Sequence, residues 1–103
     1  MYLLNAFSLN MLGDIPASVQ VEEVGADRAA ELAREAESAV GHADTAAVFS
    51  AVLGVEVPAQ RQTVALTKGQ SALVGQYRGP RLPEGATQLP EGATIQWIVV
   101  TVE

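Results

Sequence analysis

The sequence predicts a small α/β (α+β) protein in which a mixed sheet of about five strands carries helices mainly on one face. Two observations lead to this prediction. Strand-like apolar runs alternate along the chain with two segments of helical period, and hydrophobic residues make up 49% of the 103 residues against 17% charged residues. That composition is too apolar for a disordered chain. The length fits one domain, residues 1–103, and a domain this small gains from a second subunit, so we expect a homodimer.

The N-terminal third predicts a strand, a turn, a second strand and a helix. Residues 2–7 are short and apolar, as in a buried strand, and Ser8 stands where a cap would begin one helical turn over residues 9–12. Residues 17–24 alternate valines with polar side chains, which predicts an edge strand. Residues 27–37 have helical period, with alanines and one leucine on a common face.

The middle of the chain predicts a second helix. Residues 39–41 are compatible with either a short strand or a connector, because so short a run has no measurable period. Asp44 is expected to cap a helix over residues 45–53, since aspartate is a preferred N-cap residue. Gly54 then stands where a helix commonly ends.

The C-terminal part predicts three strands and a long loop. Residues 62–67 and 71–77 are strand-like runs that Lys68-Gly69-Gln70 would join into a hairpin. Residues 78–93 form a Gly/Pro loop with two copies of Leu-Pro-Glu-Gly-Ala-Thr, each expected to make a turn. Residues 94–102 are apolar on both faces, as in a central strand.

The composition restricts the chemistry and the location of the protein. The chain has no cysteine, which excludes disulfides and thiolate metal sites, and its single histidine argues against a zinc site. We therefore expect neither a metal nor a cofactor. No apolar run reaches the length of a membrane span and no signal segment is recognisable, so we expect a cytoplasmic protein without a membrane partner.

The charge is distributed unevenly along the chain, although its net value is −6. Residues 1–44 contain eight acidic and two basic residues, whereas residues 45–103 contain four of each. Three arginines, Arg61, Arg78 and Arg81, lie in that second part and could form a local positive pocket on an acidic body. Long DNA or RNA is not an expected partner, because its binding depends on many phosphate contacts.

Three residues stand out for catalysis by their type and position. His42 is the only histidine and directly precedes a predicted helix; histidine suits proton transfer near neutral pH, although a solvated loop histidine is the simpler interpretation. Arg81 and Glu84 lie three residues apart in the Gly/Pro loop, and arginine matches the geometry of phosphate. A solvated ion pair is the alternative. The second repeat has no arginine three residues before Glu91, which favours Glu84.

Two polar residues flank the end of the first predicted strand. Asn5 and Ser8 could hold a phosphate there, since strand and helix termini offer free polar groups. For Ser8, a plain helix cap explains the residue equally well. Arg61 lies between the second helix and the next strand-like run, and taken alone it is an ordinary surface arginine.

Four patches of the chain together resemble one family, over nearly the whole length. They are Asn5-Ala-Phe-Ser8 with the following Asn10-Met-Leu12, Gly41-His42, Arg61, and Arg81-Leu-Pro-Glu-Gly85. They are similar to the small viral proteins that include the type III anti-CRISPR ring nucleases, with CRISPR-associated and free-standing bacterial relatives. The additional Arg78-Gly-Pro80 and the duplicated repeat resemble bacterial members.

The resemblance implies a homodimer that holds cyclic tetra-adenylate across its two-fold axis. It implies metal-independent cutting to linear di-adenylate with 2′,3′-cyclic phosphate ends, which switches off type III CRISPR signalling. The implied catalytic residues are His42, Arg81 and Glu84, and the implied substrate-binding residues are Asn5, Ser8, Arg61 and Gln76. Glu84 would orient His42, hold a ribose, or hold Arg81.

Two other functions remain open at the level of sequence. The same dimer could capture a cyclic oligonucleotide as a sensor or sponge, without cutting it. A DNA-binding regulator is the third interpretation, and the acidic balance and the lack of a basic helix argue against it.

Overall fold

The computed structural model describes all of residues 1–103 and contains five strands, two α-helices and one 3₁₀ turn. The strands are β1 (Tyr2–Leu4), β2 (Val19–Val24), β3 (Glu37–Ser38), β4 (Ser71–Arg78) and β5 (Thr94–Val102). The helices are α1 (Ala26–Glu35) and α2 (Ala43–Leu53), and the 3₁₀ turn spans Leu9–Met11. None of the helices is long and apolar enough to cross a membrane.

The strands form one mixed sheet in the order β2-β5-β4-β1-β3. β1 pairs in parallel with both β3 and β4, whereas β5 pairs antiparallel with β2 and β4. The predicted five-stranded mixed sheet is therefore confirmed, with β2 at an edge and β5 inside. β5 has the predicted bounds, because both of its faces are covered and its apolar residues extend over its whole length.

Both helices pack on one face of the sheet, as predicted. The core between them contains Phe49 of α2 and Trp97 of β5, whose ring centroids lie 4.9 Å apart at an angle of 65°. Gly75 of β4 allows this edge-to-face contact. A Cβ atom at that position would lie 2.5 Å from Trp97 and 2.6 Å from Phe49, so any larger residue would displace the pair.

Irregular segments cover the opposite face of the sheet. Val64 and Leu66 are buried there against strand residues, together with the partly buried Met11 and Leu12. The predicted hairpin of residues 62–67 and 71–77 is therefore wrong. β4 already has β1 on one side and β5 on the other, so no edge of β4 is free, and a single bridge between Leu12 and Leu66 is the only strand-like pairing of that segment.

Several boundaries differ from the predicted ones. β1 ends at Leu4, β2 begins only at Val19, and α1 spans Ala26–Glu35. The short third strand is Glu37–Ser38, so residues 39–41 are a connector. Asp44 was predicted as the cap of α2, but His42 occupies the N-cap and Asp44 lies in the first turn, because the helix begins one residue before Asp44.

The two repeats form equivalent turns, as predicted. The amide of Ala86 donates to the carbonyl of Pro83 at 3.1 Å, and that of Ala93 donates to Pro90 at 3.0 Å. Each turn has a glycine with positive φ at its third position, 80° for Gly85 and 81° for Gly92. Glycine adopts this conformation without a steric penalty, as type II turns require.

Candidate functional site

The parallel strands bring the segments that follow them to the same end of the sheet, the end formed by the carboxyl ends of these strands. β1, β3 and β4 run in the same direction, so their carboxyl ends lie together. Asn5 follows β1, His42 follows β3 after a short connector, and Arg81 follows β4. In open α/β sheets, ligands commonly bind outside the carboxyl ends of such strands.

His42 lies at the N-terminus of α2, where its backbone is extended with φ −118° and ψ 130°. Its carbonyl accepts the first helical hydrogen bond, from the amide of Ala46 at 3.0 Å, while its side chain makes no capping bond. The imidazole is exposed and free to meet a ligand. The first amides of α2 also lack partners, and together with the helix dipole they favour an anion at this end.

His42 and Arg81 line one cavity of about 610 Å³. The other residues of its lining are Asp44, Thr45, Tyr77, Gly79 and Leu82. The cavity therefore lies between the start of α2 and the segment that leaves β4. A histidine, an arginine and a helix N-terminus around one cavity suit a phosphate-containing ligand.

Two hydrogen bonds connect the Arg81 loop to the scaffold. The carboxylate Oδ1 of Asp44 accepts from the backbone amide of Gly85 at 3.0 Å. The hydroxyl of Tyr77 donates to the carbonyl of Pro80 at 2.6 Å. The loop consequently meets α2 close to His42, although 41 residues separate Asp44 from Gly85 in the sequence.

Arg61 lies beside the connector that precedes α2, and so it is close to the same region. Its Cβ, Cγ and Nε atoms lie 3.5 Å from the position that a Cβ on Gly41 would occupy, next to His42 in the chain. The amide of Gln60 donates to the carbonyl of Val40 at 2.8 Å and keeps the two segments side by side. The exposed Arg61 therefore lies beside the start of α2.

Glu84 is exposed at the second position of the first repeat turn. It forms no ion pair with Arg81 or with His42, because the only ion pair of the chain is Arg28–Glu31 at 3.1 Å. The solvated pair considered for Arg81 and Glu84 is thus not formed. Arg61 and Arg81 likewise have no carboxylate partner, which leaves both charges available to an anionic ligand.

The lining of the His42 cavity includes none of the four predicted ligand contacts, Asn5, Ser8, Arg61 and Gln76, and it does not include Glu84. Ser8 caps the 3₁₀ turn, its Oγ accepting from the amide of Asn10 at 3.2 Å. The amide of Gln76 donates to Gln96 at 3.2 Å on the sheet face away from the helices. Asn5 is half-buried directly after β1. A ligand would have to extend beyond the cavity, around this edge of the sheet, to meet them.

Five lining residues were not among the predicted site residues, and Asp44 and Tyr77 are the two of them whose side chains hold the Arg81 loop. Asp44 was interpreted as a helix cap, and a carboxylate beside a helix start is equally compatible with capping and with holding a distant loop. Tyr77 ends a strand pattern, where aromatic residues are common. No group of three or more His, Cys, Asp or Glu side chains comes together in the structure as metal ligands would.

The chain as a whole is similar to known proteins. A family model described as STIV B116-like matches residues 1–96. Among solved structures, B116 of Sulfolobus turreted icosahedral virus is similar, with a TM-score of 0.82 and 26% identity over 97% of each chain. A comparison with curated protein sequences found no significant match.

Proposed function

This chain belongs to the STIV B116-like family, and we propose that within it the chain acts as a metal-independent ring nuclease that converts cyclic tetra-adenylate to linear di-adenylate. One observation carries the proposal. The only histidine of the chain and an arginine without an ion-pair partner line the same cavity at a helix N-terminus. The proposed role is to switch off type III CRISPR signalling, which the resemblance of the site motifs implies.

The proposed reaction is a transesterification within the ring. The ribose 2′-oxygen attacks the adjacent phosphorus, the new O2′–P bond forms, and the bond from phosphorus to the 5′-oxygen breaks. The 2′-proton leaves to water, and His42 donates a proton to the departing 5′-oxygen as general acid. The product ends in a 2′,3′-cyclic phosphate. Holding the attacking and leaving oxygens in line supplies much of the rate.

The cationic groups would stabilise the charge that develops on the phosphate. Arg81 lines the cavity, Arg61 lies beside the start of α2, and the free amides of that helix point to the same end. Fixed donors and charges directed at a developing oxyanion make a large contribution to catalysis. Glu84 is exposed in the same loop as Arg81, and we propose that it contacts the ribose hydroxyls of the bound ring.

A homodimer would place one such cavity on each half of the ring. The cavity lies at the carboxyl end of the sheet, between the start of α2 and the segment that leaves β4. The proposed two-fold axis therefore passes near this end of the sheet.

The direct test is incubation of the protein with cyclic tetra-adenylate in EDTA, followed by chromatography of the products. We expect di-adenylate with a cyclic phosphate end from the wild type. We expect His42→Ala to bind the ring and leave it intact, because the general acid is lost while the cationic groups stay. A ring that the wild type binds without cutting would make the protein a sensor or sponge. Loss of activity in EDTA would contradict the metal-independent scheme.

A further inference from the structure

The segment of residues 81–84, called the Arg81 segment below, is held at both of its ends. Tyr77 bonds the carbonyl of Pro80, just before the segment, and Asp44 bonds the amide of Gly85, just after it. The side chains of Arg81 and Glu84 are exposed and form no hydrogen bond or ion pair within the chain. The position of these two side chains therefore depends on the two end contacts.

The second repeat shows what the same sequence does without these contacts. Residues 89–94 repeat residues 82–87 and form the same turn, with the same positive φ at the glycine. The amide of Gly92 nevertheless has no partner on a helix, whereas that of Gly85 donates to Asp44. The turn by itself thus does not supply a hydrogen bond to α2.

Asp44 also differs from an ordinary first-turn acid. Asp27 occupies the first turn of α1, where it favours the helix dipole as Asp44 does in α2. Only Asp44 accepts a hydrogen bond from a distant loop, and it lies two residues from His42 on the same helix end. The contact therefore connects the Arg81 segment to the element that carries His42.

We propose that Asp44 and Tyr77 are positioning residues that hold the Arg81 segment in a fixed place relative to His42. The proposal rests on the proposed ring-cutting function. Arg81 and His42 act on the same phosphate in that reaction, so their separation has to be set before the ring binds. Neither positioning residue needs to touch the ring, because each acts through the backbone next to the segment.

The first test follows the contact itself and does not depend on catalysis. Amide hydrogen exchange at Gly85 is measured by NMR in the wild type, in Asp44→Ala and in Asp44→Asn. Loss of the acceptor in the alanine variant should speed exchange at Gly85 by about fivefold, whereas the asparagine Oδ1 still accepts the bond. Gly92 is the internal control and should be unchanged. Equal exchange at Gly85 in all three proteins would overturn the proposal.

The second test measures cleavage of cyclic tetra-adenylate by the same variants. Asp44→Ala should lower kcat by about ten- to hundredfold with little change in KM, as expected for a misplaced catalytic group. Asp44→Asn should stay within about threefold of the wild type, because a neutral acceptor makes a weaker but similar bond. Asp27→Ala, the matched control, should behave as the wild type. If Asp44→Ala and Asp44→Asn lower kcat by the same factor, the loss comes from the missing negative charge, and the positioning role is overturned.

Tyr77→Phe tests the other end of the segment. It keeps the aromatic wall of the cavity and removes only the hydroxyl that bonds Pro80. We expect kcat to fall and ring binding to stay close to that of the wild type; an unchanged kcat would remove Tyr77 from the proposal. If the wild type does not cut the ring at all, the proposed function fails, while the exchange measurement at Gly85 still decides whether Asp44 holds the loop.

Discussion

At the scale of single residues, the site combines His42 with two arginines that have no ion-pair partner. Arg28 pairs with Glu31 at 3.1 Å, whereas Arg61 and Arg81, like the other basic residues, have no carboxylate within ion-pair distance. Both lie close to the start of α2, where free backbone amides add further positive character. A chain with net charge −6 thus presents two arginines without ion-pair partners at one end of its sheet, close to the carboxylate of Asp44, which accepts from Gly85.

Arg81 gives the prediction that belongs to this scale. Arg81→Ala should lower the single-turnover rate of ring cleavage by about a hundredfold, because a charge that stabilises the developing oxyanion is lost. Arg81→Lys should recover part of the rate, since lysine keeps the charge but not the forked geometry. Arg34→Ala removes an exposed arginine of α1 outside the cavity and serves as the control. A fully active Arg81→Ala would exclude the assigned role.

At the scale of elements, each face of the sheet is closed in a different way. The two helices cover one face, and the irregular segments that carry Met11, Leu12, Val64 and Leu66 cover the other. On the helical face, Phe49 and Trp97 meet directly over Gly75. This packing seats α2 on the sheet, and α2 carries His42 to the cavity.

Gly75→Ala tests that packing. The added methyl group would collide with Phe49 and Trp97, and forcing extra volume into a packed core costs about 1–3 kcal/mol. We expect a clear fall in Tm by circular dichroism. Gly13→Ala is the control, because a Cβ at Gly13 would have its nearest neighbours at 3.9 Å. Equal melting temperatures for the two variants would show that the aromatic pair can move aside at little cost.

At the scale of the whole molecule, the active unit is proposed to be a pair of chains. The His42 cavity is open to solvent on one chain, and a ring with two-fold symmetry would have to meet two such cavities at once. In the proposed dimer, the two-fold axis passes near the end of the sheet that carries His42. The partner chain would then complete the binding site.

The stoichiometry of binding tests this arrangement. Sedimentation velocity should give a species of twice the mass of the chain. Titration calorimetry with His42→Ala, which should bind without cutting, should give one ring for two chains. A monomer in solution, or one ring for each chain, would contradict the shared site.

Much of the fold was predictable from the sequence because it depends on local patterns. The apolar period of β5, the capped turn after Ser8 and the glycine end of α2 all follow from side chains close together in the chain. The two repeat turns are also local features, because the glycine at the third position of each turn determines its conformation. The selection of His42 and Arg81 rested on residue type and on resemblance, and the structure adds that both line one cavity.

Tertiary structure alone decided which strands pair and which loop meets α2. Residues 62–67 have a strand-like pattern, yet they cover a sheet face because both edges of β4 are taken, one by the distant β1 and the other by β5. Asp44 has the residue type of a helix cap, yet its carboxylate accepts from Gly85, which is 41 residues away. A local pattern indicates which side of a segment is apolar. Which segment pairs with a given strand edge or accepts from a given amide depends on the packing of the whole chain, because distant segments compete for the same partner.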